Sequence, residues 1–202
     1  MSFRDRILTL LNSTQDIAPV RESGANLSRL LDHLNNNNVA FITAFRSEYS
    51  RNENKKRSKI LARDLSNAGY SFIRIIGGYK DDKEYEPVEE DSFAVISTDK
   101  DPKKQDEFFK HMLAFCKHFD QDSVLISLKD RPDKPAASYT SSGEIKYGPF
   151  KKDIDTHDIE DYFTKIHGHK FTLKSFTESE EGNKPNSFST AMSYYGTKKM
   201  YK

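Results

Sequence analysis

From Val39 to Phe45 the chain reads Val-Ala-Phe-Ile-Thr-Ala-Phe, a short unbroken apolar run in a polar sequence of mean hydropathy −0.80. A strand with one covered face alternates apolar and polar residues, so a continuous run of this length marks a strand buried on both faces. The chain must therefore place layers above and below it, and the residues C-terminal to the run can supply them. A helix is predicted from Glu53 to Asn67, with Leu61, Leu65 and Ala68 inward and Lys55, Lys56, Lys59 and Arg63 solvated, and Asn67–Gly69 is its stop. Tyr70–Ile76 reads as a second strand closed by Gly77 and Gly78, and Ser92–Ser97 as a third, after an acidic loop over Lys80–Glu90. Asp101 and Pro102 open a helix with Phe108, Met112, Phe115 and Phe119 on one face, and Ser123–Ser127 is a fourth strand. The order β-α-β-β-α-β predicts an α+β fold with a split βαβ (ferredoxin-like) sheet and helices on one face.

The flanks are less patterned. Phe3, Ile7, Leu8 and Leu11 have helical spacing, as do Leu27, Leu30, Leu31 and Leu34, with a polar linker over Asn12–Gly24 between them. Beyond Leu128, Ala136–Thr140 and Glu144–Tyr147 flank Ser141, Ser142 and Gly143 as a hairpin. A short helix is expected over Asp158–Ile166, with Ile159, Phe163 and Ile166 inward, then a strand over His169–Phe176. The expected division is an N-terminal helical segment (1–38), an α/β core (39–128), a hairpin and helix extension (129–177) and a mobile tail (178–202).

Lys and Arg number 32 against 31 for Asp and Glu, so no net cationic field gathers nucleic acid, and that partner class is disfavoured. No run of about 18 apolar residues offers a membrane span. The N-terminus lacks the apolar segment of a signal peptide, and the single cysteine, Cys116, excludes an internal disulfide framework. The expected location is the cytoplasm, of a host cell or else inside a virion if the gene is viral.

Chemistry concentrates after the first strand, where Arg46, Glu48, Arg51, Glu53, Asn54 and Arg57 occur together at a strand-to-helix junction. Ligands of α/β proteins gather at such junctions, where helix N-termini present unpaired amides and arginine grips anions bidentately. The plainer reading of the same residues is a solvated, salt-bridged helix start. A second group, Glu84, Glu86, Glu89, Glu90 and Asp91, precedes the third strand and suits a metal or a general base, or simply a hydrated acidic loop. Gln121, between a helix and a strand, reads as a site residue or as a helix terminator. His111 and His118 share a solvated helix face, and His157, His167 and His169 lack the spacing of a metal site. Cys116 reads as a packed thiol. The chain contains no Walker loop, G-x-G-x-x-G fingerprint, G-x-S-x-G elbow or H-E-x-x-H helix.

Ala40–Tyr49, Asn52–Arg57, Gly69-Tyr70, Gly77-Gly78, Glu90–Phe93 and Gln121–Val124 together resemble a family of uncharacterised bacterial and bacteriophage proteins, over residues 39–127 and more weakly at Pro185–Met192. Some phage members of that family carry the label inorganic pyrophosphatase, although this chain lacks the D-x-D-P-x-D run of soluble pyrophosphatases. The resembling segments overlap the residues chosen by charge: Arg46, Glu48, Asn54, Arg57, Glu90 and Gln121. The leading expectation is a small phage-type protein that binds a phosphorylated ligand, a nucleotide or pyrophosphate, and hydrolyses it with Mg²⁺. In that scheme Arg46 and Arg57 neutralise phosphate, Asn54 and Gln121 orient the ligand, and Glu48 and Glu90 hold the metal or activate water. The competing expectation is a non-enzymatic accessory protein that docks on a host or virion protein through the aromatic, lysine-bearing segment from Phe188 onward. Single-stranded nucleic-acid binding is a third.

Overall fold

The apolar run forms β1 (Asn38–Thr43), and every residue of it is buried. Ala40 and Ile42 pack on one side and Val39 and Phe41 on the other, as the period-two geometry of a strand requires. The computed structural model describes residues 27–79, 88–147, 150–155, 162–166 and 169–175. Around β1 the described elements are α1 (Leu27–Asn36), α2 (Arg51–Asn67), β2 (Ser71–Tyr79), β3 (Val88–Ser97), α3 (Pro102–His118) and β4 (Val124–Ser127). The remainder are β5 (Ala137–Tyr139), β6 (Ile145–Tyr147), β7 (Phe150–Asp155), β8 (Tyr162–Ile166) and β9 (His169–Ser175).

The expected order β-α-β-β-α-β is present from β1 to β4. These strands lie at the centre of a nine-stranded sheet in the order β6-β5-β4-β1-β3-β2-β8-β9-β7, and all its pairings are antiparallel. Helices α2 and α3 cover one face, where Leu61, Leu65, Phe108, Met112 and Phe115 meet Ala40, Ile42, Phe93 and Val95. The opposite face carries α1, whose Leu30 and Leu34 pack with Val39, Phe41, Ile73, Ile75 and Ala94. Both helix starts are locally encoded. Ser50 and Glu53 form a reciprocal capping box on α2, and Asp101 accepts from the Lys103 and Lys104 amides ahead of Pro102 in α3. Gly69, at φ +81, reverses the chain after α2 so that the Tyr70 amide bonds the Leu65 carbonyl at 3.0 Å.

Three expectations need correction. The strand before the Phe93 core begins at Val88, so Glu89, Glu90 and Asp91 belong to β3 and pair with Gly78, Gly77 and Ile76 rather than lying in a loop. Residues 162–166 are not helical. They form β8, which takes up the edge of β2 through Ile76, Gly77, Gly78 and Tyr79. Tyr-Phe-Thr-Lys-Ile is rich in aromatic and β-branched residues, and Thr164 and Ile166 are buried while Lys165 between them is not, a period of two. The described residues of the extension beyond the hairpin are thus strand, and they include β7, which the residue pattern does not announce. The hairpin itself is present as β5 and β6, with Gly143 at φ +91 in its turn. The expected helix at 3–11, the linker, His157, His167, Glu84, Glu86 and the tail from residue 178 lie outside the described residues.

Candidate functional site

At the carboxyl end of β1 the chain turns into α2, and the residues selected from sequence converge there, though with their polar groups turned on the backbone. Asn54, buried in the first turn of α2, accepts from the Arg46 amide at 2.9 Å and donates to the Arg46 and Tyr49 carbonyls at 2.8 and 3.1 Å. Arg57 donates to the Ala44 and Phe119 carbonyls at 2.8 and 2.6 Å, and its guanidinium lies over the Tyr49 ring, 4.7 Å from the centroid. Gln121 donates to the Phe45 and Phe119 carbonyls, both at 3.0 Å, while its buried Oε1 meets no donor. Arg46 bonds the Asp120 carbonyl at 2.7 Å and Glu48 Oε1 at 2.7 Å. Burial works against the Arg46 charge, but Glu48 and Asp122 outweigh it and hold the guanidinium protonated. Glu48, on the surface, is held below the usual carboxylate range by its own backbone N–H and by Arg46. Cys116 donates to the Gln121 carbonyl at 3.2 Å, and burial pushes its thiol up to about 12, so it is a packed thiol.

Glu90 stands apart from this cluster. It lies in β3 opposite Gly77 and is completely buried. Ala94 and Ile96 of the same strand pack on the α1 face. The register is regular, so alternation puts Ser92 and Glu90 on that face too, together with Thr43 opposite Ser92 and Thr164 opposite Gly77. Glu90, Ser92, Thr43 and Thr164 are all fully buried, a polar patch where the rest of that face is aliphatic. Thr43 donates to the Asp91 carbonyl at 2.8 Å. Ser92 Oγ makes no hydrogen bond. Buried polar atoms are normally partnered, which sets the Ser92 hydroxyl apart on this face.

On the other face of the same sheet end lies a cleft of about 140 Å³ whose walls include Arg51, Lys55 and Asn54 from α2 and Glu89, Glu90 and Asp91 from β3. One wall is cationic and carries the helix N-terminus; the other is acidic. Lys165 of β8 is ion-paired with Glu89 at this end. Glu48, the other carboxylate expected to hold Mg²⁺, is not among this cleft's walls. Among the described residues no group of three or more His, Cys, Asp or Glu is placed to hold a metal ion. No helix among them is long and apolar enough to cross a membrane.

The S-adenosylmethionine lyase family matches this chain over residues 40–174, from β1 through β9. The chain belongs to that family. No curated protein matches it. Membership of the S-adenosylmethionine lyase family runs against the leading expectation. Phosphate or pyrophosphate binding with Mg²⁺-dependent hydrolysis is overturned, because the family is named for a lyase, and S-adenosylmethionine carries a sulfonium and no phosphate. The docking and nucleic-acid alternatives gain nothing from the match. A resemblance to uncharacterised phage and bacterial proteins is consistent with membership, and the membership adds a reaction class. The matched span contains Arg46, Glu48, Asn54, Arg57, Glu90 and Gln121. The Ser92 hydroxyl escapes a search guided by charge; its signal is a serine on the apolar side of a strand otherwise reading Phe-Ala-Val-Ile.

Proposed function

We propose that the chain binds S-adenosylmethionine at the end of the sheet around Glu90 and breaks one of its carbon–sulfur bonds as a lyase. Family membership supports the substrate and the reaction class. The observation that carries the site is the fully buried Glu90 carboxylate beside a Ser92 hydroxyl that makes no hydrogen bond. A sulfonium is positive but has no N–H or O–H to donate. Oxygens that face it therefore lack conventional donors and act through charge and weak C–H contacts.

When the bond breaks, its electron pair goes to sulfur and the sulfonium leaves as a neutral thioether. The carbon left behind takes an electron pair from within the same molecule, either from the substrate's own carboxylate or from a neighbouring C–H bond whose proton is lost. No water is consumed. In this reading Glu90 holds the cationic centre of the substrate from the α1 face of the sheet. At about 4 Å and an effective dielectric near 20, one carboxylate–sulfonium contact is worth about 4 kcal/mol, close to a thousandfold in affinity. We also read β1 to β4, in the order β4-β1-β3-β2, as a split βαβ unit of ferredoxin-like type, extended at both edges.

The test is incubation of the full chain with S-adenosylmethionine in ¹⁸O-labelled water. The expected result is loss of substrate, appearance of a neutral nucleoside thioether, and no ¹⁸O in the first-formed products. Stoichiometric ¹⁸O incorporation would make it a hydrolase, and the absence of both turnover and binding would end the reading.

A further inference from the structure

A cavity of about 620 Å³ lies at the opposite end of the strands from Glu90, where α1, the end of α2 and the start of α3 meet the sheet. Its volume falls in the range of small-molecule sites, about 300–1,000 Å³. Its rings are Tyr70, Phe72, His33 and His111, and two of them are fixed in place. The Tyr70 hydroxyl and His111 Nδ1 are 2.5 Å apart, and Tyr70 stands edge-on to Phe108 and to His111, at 5.3 and 5.8 Å between centroids. Gly69 is what brings Tyr70 to this position, since the reversal after α2 depends on its positive φ.

The charges at this cavity cancel. Arg29 and Lys104 supply two cations, Asp99 and Glu107 two anions, and Lys104 is already held by Glu107 at 2.9 Å. Burial lowers the pKa of both His33 and His111, so neither adds a charge at neutral pH. A balanced lining gives an ionic ligand no net field. Aromatic faces favour a flat heterocycle, and carboxylates accept from vicinal hydroxyls, as they do with ribose in dinucleotide sites.

We propose that this cavity is a second ligand site, built for an uncharged purine nucleoside, with the base against the Tyr70 and histidine rings and the ribose hydroxyls on Asp99 and Glu107. It is separate from the site around Glu90 and does not depend on the lyase reading.

Adenosine is the probe. It is titrated into the full chain while the imidazole Cε1–H resonances of the histidines are followed, assigned with His33→Gln and His111→Gln. The expected result is saturation at one site with His33 and His111 both shifted, and binding at least tenfold weaker in an Asp99→Asn, Glu107→Gln double variant whose circular dichroism is unchanged. Glu90→Gln should leave this titration as it is, which separates its outcome from that of the lyase reading. The proposal is overturned if adenosine fails to saturate at millimolar concentration, if the two histidines do not move, or if binding disappears in Glu90→Gln. It is equally overturned if inorganic phosphate or adenosine monophosphate binds more tightly than adenosine in a manner that depends on Lys104.

Discussion

Replacing Arg57 separates a structural guanidinium from a ligand-binding one. Its side chain joins the end of β1, through the Ala44 carbonyl at 2.8 Å, to the turn after α3, through the Phe119 carbonyl at 2.6 Å. It also stacks on Tyr49. A hydrogen bond from a charged donor contributes about 1.5–3 kcal/mol, less where water competes, and a cation–π contact at a partly exposed ring about 0.5–1 kcal/mol. Two such bonds at the low end, discounted a little for competing water, and the stack together make Arg57→Ala cost about 3 kcal/mol. For a chain of this size that lowers Tm by about 6–12 °C, and the urea midpoint falls by about 1 M or more. Lys at this position reaches one carbonyl at a time and cannot reproduce the planar stack, so Arg57→Lys should recover no more than half of the loss. The assay is equilibrium urea unfolding followed by far-ultraviolet circular dichroism. A loss below about 1 kcal/mol for Arg57→Ala would show that the two carbonyls do not need the guanidinium, and the staple role would fall.

Asn54→Ala removes three hydrogen bonds from a buried turn and leaves backbone groups of Arg46 and Tyr49 unmet, so unfolding experiments should show a loss of about 2–4 kcal/mol. Glu90→Gln keeps the shape but removes the charge. It should lower kcat/KM for S-adenosylmethionine by about 10²–10³, read from initial rates of substrate loss. For Cys116 the folded thiol pKa is raised to about 12 from an unfolded value near 9, so its stabilising effect is complete below pH 9 and is lost as pH rises toward 12. Between pH 9 and 10 the cysteine's share of the fall in stability should be about 1 kcal/mol, with tyrosine ionisation in the unfolded chain adding to the total. A Cys116→Ala variant should lack that part of the slope in urea titrations at the two pH values.

The central layers are legible because their patterns are local. An unbroken apolar run and two helices with inward stripes need no knowledge of what lies across the sheet. The start of β3 is hidden because Glu89, Glu90 and Asp91 look like a hydrated loop, and only pairing with Ile76, Gly77 and Gly78 makes them a strand. In β8, Phe163 and Ile166 fit a helical spacing as well as a strand, and what decides between them is the open edge of β2. Within the junction cluster, charge picks out residues that converge in space but cannot tell whether they face a ligand or a carbonyl; Arg57 and Asn54 face carbonyls. Tyr70 and His111 are 41 positions apart and meet only because a glycine turns the chain between α2 and β2. No spacing rule joins them.

An antiparallel sheet that never closes into a barrel ends in two rims of unpaired amides and carbonyls, each a template on which a neighbouring molecule can stack. Here one rim is β6, only Ile145–Tyr147, and the other is β7, whose sequence Phe-Lys-Lys-Asp-Ile-Asp carries a charge at four of six positions. A short rim offers an intruder few bonds, and a charged one makes it strip water from ions. Among the described residues the strands thereby form a wide platform whose two rims give a second copy little ladder to continue.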